Sequence, residues 1–224
     1  MDINILWYTL LVLGSYFVGN ISFAIFISRK KNSDITKLGS GNPGTMNMLR
    51  NFGFKTGGLT LILDVVKGAI PALVGLLTLG ETGLYVAGLA VVLGHIYPVV
   101  RKFKGGKGVA CALGVFLVAN PLLTLAFFAV AFVYLLIFDY GAIASFIVIT
   151  AMTVIEAYLH AGNLTVSILL FSMFVIIFFS HRKNITRLLV GTENKANLRK
   201  SLKKLTTRKE RKQERKEEKE RNIG

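Results

Sequence analysis

Long apolar runs broken by short polar islands dominate this chain. Seven runs can be marked, roughly at 4–28, 57–79, 82–100, 108–119, 121–138, 140–159 and 163–180. A bilayer core of about 30 Å takes around 20 helical residues, and runs one, two, three, six and seven meet that length. The fifth is marginal. The fourth holds about a dozen residues, or roughly 18 Å of helix, and is expected as a half-span or as a helix buried within a bundle. Asn120-Pro121 divides runs four and five, a helix stop followed by a favoured helix start. The pattern predicts an all-α polytopic membrane protein of about seven transmembrane helices, some short, with glycine-rich loops on the cytoplasmic side. Five or six spans with re-entrant short pieces is the alternative count.

Charge sharpens this picture. Of 224 residues, 53% are hydrophobic and only 17% charged. Residues 181–224 hold 16 of the 27 Lys and Arg, so the body is too poor in charge to coat a water-soluble globule. That excludes a soluble α/β enzyme, and the lone Cys111 excludes a disulfide scaffold. The net charge of +15 is mostly tail and gives only a weak argument for nucleic acid. Run one is too long for a cleavable signal peptide and leads into Arg29, Lys30 and Lys31. Loops 29–56 and 101–107 and the tail are basic, whereas the intervening connections carry no Lys or Arg. The positive-inside rule then puts the amino end outside and these loops and the tail on the cytoplasmic side. Residues 1–195 form the membrane domain and 196–224 a basic tail. Within that tail Leu198, Leu202 and Leu205 predict a short amphipathic helix on the anionic leaflet, followed by a solvated Lys/Arg/Glu run. Truncation after about residue 197 is expected to leave turnover in detergent unchanged.

Candidate chemistry sits where polar residues interrupt the apolar pattern, and topology gathers three such islands on one face. The first runs from Lys37 to Arg50. Gly39, Gly41 and Gly44 permit a tight turn, Ser40, Asn42, Thr45 and Asn47 are neutral hydrogen-bonding groups, and Arg50 is a planar fork suited to phosphate. The glycines match G-x-G-x-x-G formally, but no strand precedes them and no βαβ unit follows. The second holds His95 and then Gly105-Gly106-Lys107-Gly108 at the start of run four, a glycine loop at a helix amino end with an added cation. It lacks the Ser or Thr of a Walker A loop. The third, His181 to Glu193, places His181 and Asn184 on one helical face; Glu193 is expected to pair with a loop cation. Asp64 and Lys67 are spaced to pair inside run two, and Glu156 near the outer end of run six is expected to reach water. There is no H-E-x-x-H, no CxxC, no H-x4-D pair and no G-x-S-x-G elbow, so no metal and no cofactor are expected.

Gly39-Ser-Gly-Asn-Pro-Gly-Thr-Met-Asn-Met-Leu-Arg50, His95-Ile-Tyr-Pro-Val-Val-Arg-Lys-Phe-Lys-Gly-Gly-Lys-Gly-Val-Ala110 and His181-Arg-Lys-Asn-Ile-Thr-Arg-Leu-Leu-Val-Gly-Thr-Glu-Asn-Lys195 occur in order. Together they resemble the motifs of the bacterial membrane glycerol-3-phosphate acyltransferases that use acyl phosphate. Cys111 stands where that family usually has Thr, and Ser180 where a basic residue often precedes the His. The resemblance implies transfer of a fatty acyl group to the 1-hydroxyl of sn-glycerol 3-phosphate, giving 1-acyl-glycerol 3-phosphate and phosphate, the first acylation of phospholipid synthesis. Ser40, Arg50 and Lys107 are then expected to bind phosphate and stabilise charge, and His181 and Asn184 to position glycerol phosphate. Gly39, Gly41, Asn42, Asn47, His95, Gly105, Gly106 and Gly108 are expected at the substrates. The general base is open between His181 and a substrate phosphate. Implied partners are the two substrates and the bilayer, with no nucleic acid; docking of a soluble enzyme that supplies acyl phosphate is open. A transporter of an organic phosphate is the competing class, but it calls for polar residues on both faces.

Overall fold

The computed structural model describes residues 3–207. The Lys/Arg/Glu run expected to be solvated lies outside the described residues. Among those described, the regular structure is helical: α1 Ile3–Gly19, α2 Phe23–Arg29, α3 Thr45–Phe52, α4 Phe54–Ile96, α5 Val109–Ala119, α6 Pro121–Phe138, α7 Gly141–Leu159, α8 Leu164–Ser180 and α9 Arg182–Leu189, with 3-10 turns at Ile35–Lys37 and Val99–Arg101.

The 43 residues of α4 do not form one rod. Straight, they would reach about 65 Å, twice the apolar thickness of a bilayer. Leu79 and Gly80 leave helical geometry, Gly80 with φ of 66°. The chain folds back there, and the backbones of Gly75 and Gly83 meet with no room for a Cβ on either. The two limbs, 54–78 and 81–96, match apolar runs two and three. Run one, expected as a single helix, is broken between α1 and α2. Gly19 lies against the backbone of Val91 and Gly94, and the chain unwinds beyond it. The carbonyls of Gly19 and Ile21 then accept from Lys67 Nζ at 3.4 and 2.6 Å. A buried ammonium thus satisfies backbone groups that the break would leave unpaired.

Among the described residues four stretches are long and apolar enough to cross a membrane: Ile3–Arg29, Phe54–Arg101, Pro121–Phe138 and Gly141–Leu159. A fifth, α8 with α9, qualifies only as a pair bent by 57°. Helix α5, at 11 residues, is too short to cross. It is packed in the interior, with Cys111, Val115 and Phe116 fully buried. The outer rim of α6 instead exposes Leu122, Leu125, Val130, Val133 and Ile137, as a lipid-facing helix must. The α5–α6 border falls at Asn120, whose side chain accepts from Leu123 N–H at 3.4 Å while Pro121 opens the next helix.

Two charged or polar regions differ from expectation. Glu156 does not reach water: it is 1% exposed, and the Tyr85 hydroxyl donates to its Oε2 at 2.7 Å. His160 lies beside it, with its Nδ1 3.7 Å from the same oxygen. Ala196 and Leu198, assigned by composition to the tail, are buried against the bundle, and Leu202 packs on the same core.

Candidate active site

Helices α3, α5 and α9 all begin at one end of the bundle, and their amino ends surround a single cavity of ≈ 350 Å³. Each terminus brings N–H groups and the positive end of a helix dipole. At α5 the N–H groups of Val109 and Ala110 make no hydrogen bond among the described residues, and both residues line the cavity. At α3 the buried Thr45 hydroxyl is likewise without a partner and faces the same space.

The first island folds around Asn47. Its Nδ2 donates to Ile35 O at 3.2 Å and Leu38 O at 2.9 Å, and its Oδ1 accepts from Ser40 N–H at 3.1 Å and Asn51 Nδ2 at 3.1 Å. Asn47, expected at the substrates, does line the cavity, but its amide is fully engaged and 1% exposed, so its evident work is to hold the loop that presents Ser40. Arg50, one turn further along α3, donates through Nη2 to Ser40 Oγ at 3.3 Å. Burial lowers the Arg50 pKa from its ordinary value, with Glu193 opposing that shift. Asn42 lines the cavity beside them. Gly39 and Gly41 do not line it: they carry φ of 54° and 70° and make the turn, Gly39 packed where a Cβ would strike the Asn47 side chain.

In the second island Lys107 points into the cavity, whereas Gly105, Gly106 and Gly108 do not line it. The expectation that the loop N–H groups are free for an anion fails at Gly106, whose N–H donates to His95 O at 3.0 Å. Gly105 and Gly106 let the loop lie directly on His95, where a Cβ would overlap the His95 carbonyl and imidazole. Gly108, with φ of 85°, caps α5. Gly106 is therefore not a free donor, whereas the N–H groups of Val109 and Ala110 are free among the described residues and belong to residues that line the cavity. Burial pushes the Lys107 ammonium down to about 8; Glu193 holds it up, and Arg187 and Arg50 push it further down.

Behind the loop lies a buried cluster. Lys67 Nζ is 3.0 Å from Asp64 Oδ1 and donates to His95 Nδ1 at 2.8 Å. An ammonium only donates, so His95 carries its own hydrogen on Nε2, the nitrogen facing Gly106. Asp64 and His95 both line the inner cavity wall. With Cys111 they approach metal-ligand spacing, but the Lys67 ammonium already supplies the positive charge there.

The third island closes the site. His181 sits at the bend between α8 and α9, 1% exposed, with its ring 5.0 Å from that of Phe146. Its Nδ1 lies 2.9 Å from Ile177 O, a contact that requires hydrogen on Nδ1 and leaves the Nε2 lone pair available in the neutral ring. Nε2 makes no hydrogen bond among the described residues. Ser180 Oγ shares its one hydrogen between Ile177 O at 2.6 Å and Lys107 O at 3.1 Å, and the second contact brings the second island against the third. Asn184 Nδ2 donates to Glu193 Oε1 at 2.6 Å, and Arg187 Nε donates to Glu193 Oε2 at 2.8 Å. Glu193 therefore orients Asn184 and supplies the only carboxylate close to Lys107 and Arg50 among the groups described above.

Ser40, Arg50, Lys107, His181 and Asn184 thus face one polar chamber. From it the cavity continues between Leu113, Phe128, Phe132, Leu135 and Val148. One end suits anions and the other a hydrocarbon chain.

A family model described as glycerol-3-phosphate acyltransferase matches residues 9–191. The chain is 38% identical over 194 residues to a glycerol-3-phosphate acyltransferase of Alkaliphilus metalliredigens, covering 86% of this chain and 98% of that one. It is 40% identical over 189 residues to the enzyme of the same name from Aquifex aeolicus, covering 83% and 97%. Among solved structures it resembles PlsY (YgiH), an integral membrane glycerol 3-phosphate acyltransferase, at 37% identity over 84% of this chain and 94% of that one. The TM-score is 0.78 for the glycerol 3-phosphate form and 0.76 for the lysophosphatidic acid form. With a matching family model over most of its length and a shared helical architecture, the chain belongs to the glycerol-3-phosphate acyltransferase family and is a multi-pass membrane acyltransferase.

Proposed function

We propose that this acyltransferase takes its acyl group from an acyl phosphate and delivers it to the 1-hydroxyl of sn-glycerol 3-phosphate. The products are 1-acyl-sn-glycerol 3-phosphate and inorganic phosphate. The observation that carries the reading is the two-ended cavity: a polar chamber with Arg50, Lys107 and three helix amino ends opens into an apolar channel. Both substrates are phosphate anions, and one also needs room for a chain. The related structures bear glycerol 3-phosphate and lysophosphatidic acid in their names, which fits one phosphate substrate and the acylated product in such a chamber.

In this mechanism the glycerol hydroxyl attacks the acyl carbonyl, forming the ester C–O bond. The tetrahedral intermediate then expels phosphate with its bridging oxygen. No acyl-enzyme is required, because the donor is already activated. Ser40, Arg50, Lys107 and the α5 N–H groups hold the donor phosphate and offset the charge that grows on it. His181 and Asn184 orient the acceptor, Asn184 being fixed by Glu193. The hydroxyl proton passes to His181 Nε2 or directly to the departing phosphate. The basic loops support a cytoplasmic location for this chamber, by the positive-inside rule.

Purified enzyme given an acyl phosphate is expected to release phosphate only when glycerol 3-phosphate is present, in equal amount with the acylated product. Turnover with an acyl thioester and none with acyl phosphate would overturn the donor assignment.

A further inference from the structure

The first described residues of the basic tail are docked at a single corner of the bundle, the turn between α6 and α7. Asp139 ends α6 with φ of 66°. Its backbone carbonyl accepts from Ala196 N–H at 2.8 Å. Its carboxylate accepts from Asn197 N–H at 3.0 Å and from Leu198 N–H at 3.1 Å. Arg199 Nε donates to Leu136 O in the same corner. Asn197, with φ of 59°, then accepts from Ser201 N–H at 3.0 Å and opens the helical stretch 198–207. Asp139 thus acts as a capping carboxylate supplied from another helix. The consequence is that Leu198 is turned inward: it is 1% exposed, joins the core cluster of Ala131 and Leu135, and lines the apolar end of the cavity with them. A solvated or leaflet-bound tail would bury none of these atoms. The family model stops at residue 191, so this wall lies beyond the matched region.

We propose that residues 196–202, latched by Asp139, form a wall of the acyl-binding channel, and that Leu198 sets which donor chain lengths fit. The bundle then extends through Leu198, and a cut after residue 197 opens the channel. This rests on the acyl-phosphate reading above.

The test compares kcat/KM for lauroyl and stearoyl phosphate in purified full-length enzyme and in Leu198→Ala, Leu198→Trp, Leu198→Val and Asp139→Asn. Leu198→Ala should shift the stearoyl-to-lauroyl ratio upward and Leu198→Trp downward, each by about tenfold, the scale at which a hydrophobic pocket discriminates methylenes. Leu198→Val and Asp139→Asn should shift it upward by less. KM for glycerol 3-phosphate should not move in any of them. Lys203→Ala, at an exposed position, serves as control and should match the wild type. Monodisperse, active Leu198 variants with an unchanged ratio overturn the proposal, as does an equal change in KM for both substrates. If Leu198→Trp fails to fold, the Ala and Val variants decide alone. A wild type inert toward every acyl phosphate overturns the donor reading and this inference with it, whereas an active wild type with unmoved variants overturns this inference alone.

Discussion

At the residue scale the chamber depends on a cation held near its titration point. Lys107 is partly buried, and its pKa is pushed down to about 8. The ammonium proposed to bind phosphate is therefore fully present below that pH and is lost as pH rises through it. We expect kcat/KM for the donor to fall above pH of about 8, and the limb to vanish in Lys107→Arg, whose charge persists. Lys107→Ala and Arg50→Ala should each cost about 1.5–3 kcal/mol of transition-state binding, seen as a fall in kcat/KM in protein that still inserts. His181 poses a different question. Its Nδ1 hydrogen is committed to Ile177 O, so the free Nε2 offers a lone pair when the ring is neutral. If that lone pair takes the hydroxyl proton, His181→Gln and His181→Ala lose activity alike, and the ascending limb of the pH–rate profile disappears with them. If the ring mainly positions the acceptor, Gln retains more activity than Ala and the limb stays. The profile of the Gln variant decides between them.

At the scale of elements, the break between α1 and α2 and the ion pair inside α4 form one construction. Lys67 Nζ lies within reach of Gly19 O, Ile21 O, His95 Nδ1 and Asp64. Lys67→Met strands a buried carboxylate and two backbone carbonyls at once. A loss of about 3–5 kcal/mol is expected, read as a lower temperature for loss of monodisperse protein in detergent. Asp64→Asn/Lys67→Met removes the stranded charge and should recover part of that loss. A single variant as stable as the wild type would show that the break is held by packing alone. The same construction marks where sequence reasoning stops. Run one reads as one helix because its interruption is decided by a side chain more than 40 residues away. The α5–α6 border was legible because Asn120 and Pro121 cap and start helices locally.

At the scale of the whole molecule, the gathering of the site was legible and its internal wiring was not. Ser40, Arg50, Lys107, His181 and Asn184 stand out because cations and glycines interrupt apolar runs and recur on one face. What each does for its neighbours depends on contacts across the bundle. Asn47 reads as one more polar group of the loop, and only the structure shows its amide holding Ile35, Leu38 and Ser40 at the cavity wall. Gly106 looks like an anion donor until its N–H is found on His95. Glu156 looked solvent-directed because its partner, Tyr85, is 71 positions away. The Asp139 latch spans 59 positions and joins two segments with no shared pattern.

The order in which the chamber's parts leave the ribosome has a consequence of its own. Ser40 and Arg50 emerge early, but His181, Asn184 and Glu193 are among the last described residues made. A nascent chain arrested before residue 181 holds Arg50 and Lys107 but lacks Glu193 to balance them and His181 to close over them. Such a chain is expected to enter the membrane yet remain catalytically silent. Co-expressing residues 1–161 and 162–224 as separate fragments, divided at the turn between α7 and α8, should restore acyl transfer that neither fragment performs alone.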